Sequence, residues 1–413
     1  MAQHLGAPAT PAVEVGAHVR VGDVIGEPAG FISAFVHSPV SGTVKSVGPR
    51  KDLSGRPVTH ITITVEGDEW APGVDLSPEL VTEIPSDPAE IIEKVKKCGV
   101  VGLGGATFPT HVKLSPAQKA ECLILNGAEC EPYLTSDFRI LLERTKEIVV
   151  GAALMQKALG GCRTVIAIEE NKMEAVKAVR EALSELAYPG IEVAVLKKKY
   201  PQGGEKQLIA AVMRREVKSG GLPISVGAVV QNVATSLAVY EAVQKNKPLI
   251  SNVLTVTGDC LPAESNHNYL YRIGMPLSYI AEVAGGVPAE AVKIVSGGPM
   301  MGRAVANLDA TTVKGSSSIL YLGQKTVRRS EGSCIRCGRC ADACPMGLEP
   351  FLLNRLARIQ DSERLESASV QDCIECGCCL YSCPSNIPLL DYIRPAKAKV
   401  LGIIKARAAA SQK

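Results

Sequence analysis

Nothing constrains this chain more than the stretch from Cys334 to Cys383, which holds nine of its 14 cysteines. Two runs inside it share one pattern: Cys334, Cys337, Cys340 and Cys344 precede Pro345, and Cys373, Cys376, Cys379 and Cys383 precede Pro384. C-x2-C-x2-C-x3-C-P written twice is the spacing of a two-cluster bacterial ferredoxin, in which three thiolates of each run hold one [4Fe–4S] cube and the fourth reaches the other. Cys334, Cys337, Cys340 and Cys383 are therefore assigned to one cluster, and Cys373, Cys376, Cys379 and Cys344 to the second. Cys378 fits no ligand position. A short loop brings three sulfurs to three irons only if it turns tightly, which Gly338 and Gly377 permit, and the proline keeps the fourth cysteine out of a helix interior. Structural zinc also uses Cys-x2-Cys pairs but does not account for the third and fourth cysteines. A disulfide framework needs an oxidising compartment, and nothing at the N-terminus reads as a signal peptide. The pattern implies electron transfer.

At 413 residues the chain exceeds one ordinary core, and about 100–200 residues per domain implies three or four. Hydrophobic content of 46% and charge of 21% are those of a folded globular protein, with cores of Val, Ile, Leu and Ala because aromatics are only 4%. A net charge of +3 is too small and dispersed to argue for nucleic acid. No apolar run approaches the ~20 residues that span a bilayer.

Residues 1–70 read as short strands at 11–15, 19–20, 24–27, 31–37, 42–47 and 60–65, separated by Gly or Pro. Residues 71–86, within a stretch rich in Pro, Asp and Ser, read as a linker. Asp87-Pro88 caps a helix whose apolar positions Ile91, Ile92 and Val95 recur at helical spacing, and Gly99 stops it. Gly102, Gly104 and Gly105 then form a loop before an apparent helix start. Glycines let backbone approach a phosphate, and free N–H groups with a helix dipole favour its charge; a tight turn alone is the competing reading. A buried strand at 123–125 follows, ending in the polar cluster of Asn126, Glu129 and Glu131. That cluster stands where open α/β sheets bind ligands. One helix is expected over 135–159, then strands at 164–168, 192–196 and 228–231 alternating with helices at 171–186, 205–214 and 235–244, which is an α/β domain with a largely parallel sheet.

Together, the glycine loop with Phe108 and Pro109, the cluster Asn126, Glu129, Glu131, Pro132 and Tyr133, and the paired ferredoxin motifs resemble the C subunit of the Rnf ion-translocating electron-transport complex over nearly the whole chain. The middle domain is similar to the flavin-carrying, NADH-oxidising subunit of respiratory complex I. The resemblance implies a multidomain α/β and α+β chain: a barrel-sandwich hybrid (1–70), a Rossmann-like FMN/NADH domain (87–250), a soluble-ligand-binding β-grasp domain (251–325), and an α-helical ferredoxin-like domain with two [4Fe–4S] clusters (326–395). It also implies a cofactor site of Gly102, Gly104, Gly105, Phe108, Lys113, Asn126, Glu129, Glu131, Tyr133, Asp137 and Asn232, with Glu129 and Glu131 facing flavin and nicotinamide as the catalytic pair. The barrel lacks the lysine that carrier domains modify between their two matching phrases; the hairpin there is Glu27-Pro28-Ala29-Gly30. Packing is its expected role. In the family it resembles, members usually carry an extra segment before the stretch that starts at Gln3, so a short form or an incomplete start is expected.

In the third module, strands are expected at 253–257, 269–273, 292–295 and 319–322, with a helix at 277–284 and a glycine-rich turn at 296–302. In the fourth, a helix at 350–359 packs across the clusters. The tail, 396–413, reads as a frayed terminus, with a membrane or partner contact as the alternative. Cys98, Cys122, Cys130, Cys162 and Cys260 read as buried thiols in a reducing cytoplasm.

The expected function is that of an NADH/ferredoxin oxidoreductase subunit. It exchanges electrons between NAD(H) and the clusters through FMN, on the cytoplasmic side of the cell membrane, with the other subunits as partners and ferredoxin served indirectly. The competing readings are a cobalamin-reductase-like or amino-acid-reductase-associated flavoprotein, and a non-catalytic iron–sulfur adaptor. Beginning with the barrel, rather than with the glycine loop, favours the first.

Overall fold

The computed structural model describes residues 1–327 and 330–410, so the last three residues of the basic tail lie outside the described residues. The N-terminal module is two small antiparallel sheets. One pairs Thr10–Pro11, Val24–Glu27 and Val36–His37; the other pairs His18–Val19, Gly42–Lys51 and Pro57–Val65. Val19, Ile25, Val36 and Val44 close on one another between them. The strand expected at 31–37 shrinks to Val36–His37. Phe31 is 81% exposed, and Ser33 diverts the chain by accepting from Ala29 N–H and donating to the Ala7 carbonyl. The strand expected at 11–15 likewise shrinks to Thr10–Pro11.

Residues 71–86 have no regular structure but are tied along the next module. Val81 N–H donates to the Tyr240 hydroxyl, and Tyr188 and Gln244 donate to the carbonyls of Thr82 and Glu83. Their backbone polar groups thus find side-chain partners in place of a ladder.

The central sheet is parallel, in the spatial order Ala228–Asn232, Cys122–Gly127, Arg163–Glu169, Ile191–Leu196. Its two central strands are almost wholly buried, as a sheet covered on both faces requires. Helices Pro88–Lys97, Thr145–Ala158, Met173–Leu186 and Val233–Gln244 belong to the core on one face, while Leu208 and Ile209 of Glu205–Met213 help form a second on the other. The single helix expected over 135–159 is two, Ser136–Glu143 and Thr145–Ala158. Between them Arg144 leaves helical geometry (φ −128°, ψ 33°), with its guanidinium held by Glu147 and Glu241. The helix expected from residue 171 begins as a 3-10 turn, Glu170–Lys172, before Met173–Leu186.

The third module is a mixed five-stranded sheet ordered His267–Arg272, Ser251–Thr257, Ser318–Leu322, Lys293–Ser296, Arg303–Ala304, with the helix Leu277–Val283. Leu254, Val256, Ile319 and Tyr321 join the same hydrophobic core as the central domain, so the two modules share an interior. The last module has its own core, in which Leu353 and Leu356 of Pro350–Arg358 meet Ile393 and Val400 of Leu389–Ala410. The tail expected to fray therefore continues this helix to residue 410. Val400 is fully buried, and apolar burial outweighs terminal fraying. Among the described residues no helix is long and apolar enough to cross a membrane.

Candidate functional site

The glycine loop lies at the C-terminal edge of the parallel sheet. Gly102 N–H donates to the Phe108 carbonyl at 2.8 Å, closing the loop, and Leu103 N–H donates to Thr235 Oγ1 at 2.9 Å, fastening it to a helix. Gly105 has φ +108°, where side chains are strained, and a Cβ built on it would meet open space. That glycine leaves backbone uncovered on one side, which suits close approach by a phosphate. The helix expected after the loop is a single turn, Thr110–Lys113, too short for much macrodipole. The long helix whose N-terminus abuts the loop is instead Val233–Gln244, and a Cβ on Gly104 would lie 3.3 Å from the side chain of its cap, Asn232.

Asn232 gathers neighbouring elements. Its Oδ1 accepts from Ala234 N–H, and its Nδ2 donates to Asp137 at 2.7 Å and to the Asn126 carbonyl. Asn126 donates to the Gly203 carbonyl at 2.8 Å. Burial, and then the Glu129 carboxylate, push the pKa of Asp137 up. Lys113 donates to Glu205 and to the Val230 carbonyl, each at 3.0 Å. Tyr133 is 42% exposed, on left-handed backbone (φ 71°).

The two glutamates have separate surroundings. The Glu129 side chain is buried, accepts from the N–H groups of Asp137 and Phe138 at a helix start, and pairs with Lys172 at 2.8 Å. The sequence shows no structural need for this carboxylate, but the fold uses it as a helix cap and as one half of a buried ion pair. Breaking such a pair costs about 3–5 kcal/mol. Glu131 reaches out of the module: Met300 and Met301 N–H donate to it at 3.1 and 2.9 Å, and the Tyr200 hydroxyl lies 3.3 Å away. Burial raises its pKa, offset in part by those N–H groups. A Cβ on Gly298 would collide with its carboxylate at 1.9 Å, so the 296–302 turn must be glycine there.

Tyr200, Lys172, Thr235 and Glu205 were not singled out in the sequence, because only the fold brings them to this edge. Gln202 and Gln231 are buried there too, with Gln202 Oε1 and Gln231 Nε2 unpartnered, as groups awaiting a polar ligand would be. The open side of Gly105 fits close approach by the phosphate of a mononucleotide.

The two cysteine motifs fold alike. Arg336 and Gly338 in the first, and Glu375 and Gly377 in the second, have positive φ, and a helical turn follows each glycine. Gly347 and Asn386, each three residues beyond the fourth cysteine, again have positive φ. Left-handed arginine and glutamate between the cysteines give no sequence signal. Cys344, Cys373, Cys376 and Cys379 line one cavity, with Leu353 and Ile393 among its apolar walls. Among the described residues no three such ligands converge on a single ion, whereas a cube takes one thiolate at each separate corner, and this ring fits it. Cys373, Cys376 and Cys344 follow burial in pushing the Cys379 thiol up to about 12, and Cys383 is among the groups that raise Cys340. Cys334 and Cys337 are exposed. Cys378, outside the pattern, still stands within hydrogen-bond reach of Cys376. Of the five other cysteines, Cys98 and Cys122 are buried and Cys130, Cys162 and Cys260 only partly so.

Known families match along the chain: the RnfC barrel sandwich hybrid domain at residues 1–69, the Nuo51 FMN-binding domain at 95–241, and the 4Fe-4S dicluster domain at 326–384. The chain is 43% identical over 363 residues to the C subunit of the proton-translocating ferredoxin:NAD(+) oxidoreductase complex of Clostridium ljungdahlii, covering 86% of this chain and 77% of the relative. It is 41% identical over 405 residues to the Na(+)-translocating counterpart of Acetobacterium woodii, covering 97% and 90%. The C subunit of the ion-translocating oxidoreductase complex of Rhodobacter capsulatus is 41% identical, covering 96% and 76%. A solved NAD+-reducing [NiFe]-hydrogenase shares the fold, with a TM-score of 0.53 at 20% identity over 76% of this chain and 63% of that one. The chain belongs to the C-subunit family of ion-translocating oxidoreductase complexes.

Proposed function

We propose that this chain is the flavo-iron–sulfur subunit of a ferredoxin:NAD(+) oxidoreductase complex, exchanging electrons between NAD(H) and its two [4Fe–4S] clusters. It sits peripherally on the cytoplasmic side of an ion-translocating membrane assembly, with the other subunits as partners and ferredoxin served indirectly. The observation that carries this reading is contiguity: the polar edge of the FMN-type domain continues through Glu131 and Tyr200 to the Cys376 loop, where the Tyr200 hydroxyl meets the Cys376 carbonyl at 2.6 Å. FMN, when bound, supplies the exchange between a hydride's electron pair and one-electron clusters.

The chain's own residues do the rest. Gly102, Gly104 and Gly105 offer backbone to the phosphate, with Lys113 and Phe108 beside them. Asn126, Asp137, Asn232 and Tyr133 shape the flavin pocket. Glu131 faces flavin and nicotinamide from the outer side, while Glu129 holds the helix beneath and keeps the pocket's acidic wall in place. The third module, read as a soluble-ligand-binding β-grasp domain, supplies the turn that Glu131 grips.

Anaerobic protein should release FMN on acid extraction, and NADH should bleach its cluster absorption. Protein that takes up no FMN on reconstitution, and whose clusters NADH cannot reduce, is the iron–sulfur adaptor instead.

A further inference from the structure

We infer that Tyr200 is a positioning residue that seats the cluster of Cys344, Cys373, Cys376 and Cys379 against the wall of the flavin site, so that this cluster is the inner of the two; the inference rests on the electron-transfer reading above. The phenol is aimed at a ligand loop. Its O–H donates to the Cys376 carbonyl at 2.6 Å, much shorter than its 3.3 Å approach to Glu131, so its one proton is committed to the cluster side. Cys376 is only 7% exposed, with Tyr200 over its peptide.

Independent contacts land on the same ligand set. Ser219 and Lys206 of the central domain reach Asp372, the residue before Cys373, at 2.5 and 3.7 Å. Gln207 donates to the sulfur of Met346, two residues beyond Cys344, at 3.1 Å. A Cβ on Gly377 would stand 2.8 Å from the Met300 carbonyl, so the loop after Cys376 lies flat on the turn that Glu131 holds. Arg394 joins that turn, at the Met301 carbonyl, to Glu375. Cys334 and Cys337 of the other set are exposed, which leaves their cluster on the outer side.

Such placement has an electrical consequence. Hydrogen bonds and solvent access around the ligands set a cluster's potential. The Tyr200 O–H dipole partly neutralises the Cys376 carbonyl, and without it an added electron on that cluster is less stable.

The test is potentiometric EPR of the whole protein, poised by dithionite and mediators, for the wild type and Tyr200→Phe, with iron and flavin content measured alongside. Cys379→Ser and Cys337→Ser identify which signal belongs to which cluster. Tyr200→Phe should keep both clusters and move one midpoint to a more negative value, that of the signal lost in Cys379→Ser and kept in Cys337→Ser. A shift of the other signal, or of neither, overturns the inference. Should Tyr200→Phe not accumulate, Ser219→Ala combined with Lys206→Met frees Asp372 and should perturb the same signal alone; perturbing the other, or neither, overturns it equally. Wild-type protein that binds no flavin would defeat the functional reading instead, and the poised potentials would still report which cluster Tyr200 touches.

Discussion

Lys314 is fully buried, and its ammonium donates to the carbonyls of Phe35 and Gly99, each at 2.7 Å, pinning the barrel module to the start of the glycine loop. Burial pushes its pKa down to about 7 from 10.5, with the Cys98 thiol opposing. His4, His37 and the N-terminal amine also feel its charge, and burial followed by Lys314 takes His37 down to about 3. Between about 7 and 10.5 the unfolded chain keeps a proton that the folded one has lost. Stability therefore rises with pH across that window, by up to about 1.4 kcal/mol per unit, and the burial cost is greatest below it. Denaturant unfolding from neutral to alkaline pH should show this rise, and Lys314→Met should flatten it; an unchanged slope in the variant would remove the assignment. Nothing in the sequence separates Lys314 from the other lysines. Its environment is made by three segments remote from one another in the chain.

At the scale of elements, the glycine loop carries the most specific expectation. Gly105 combines a positive φ with open space where a Cβ would point, so a side chain there costs the fold about 1–3 kcal/mol of backbone strain but meets no neighbour and occupies the space left for a phosphate. Gly105→Val should abolish FMN retention and NADH-dependent cluster reduction while the dithionite-reduced cluster spectrum persists. Loss of solubility and clusters together would mark the loop as structural only. The loop and the strand–helix alternation were legible because glycine spacing and periodicity are local. The break at Arg144 was not, since Glu241, which helps hold it, comes from another helix. Nor was the helix serving the loop: the sequence points to the next turn, at Thr110, while packing brings up Val233–Gln244, more than 120 residues downstream.

At the scale of the whole molecule, the paired motifs predict about eight iron and eight sulfide per chain, measured on anaerobic protein. Cys379→Ser should lose or cripple the cluster whose cavity it lines. Cys378→Ser should leave both, although Cys378 lies beside Cys376, because the other four thiols already ring the cavity; loss of four iron from Cys378→Ser would make it a ligand. The cysteine spacing by itself predicts how many cubes the chain can hold and which thiolates would serve each, since a cube imposes its geometry on a short loop. The repeating strands and helices likewise determined the parallel sheet, and glycine spacing the tight loop beside it. Tertiary structure alone decided what the acidic residues do. Glu129 became a buried cap paired with Lys172, and Glu131 a bridge to the next module, because a carboxylate's role depends on which donors the fold brings within 3 Å of it. It also decided which of the two motifs docks on the rest of the chain: motifs with the same spacing are equivalent along the sequence, and only contact with Tyr200 and the Met300 turn distinguishes them.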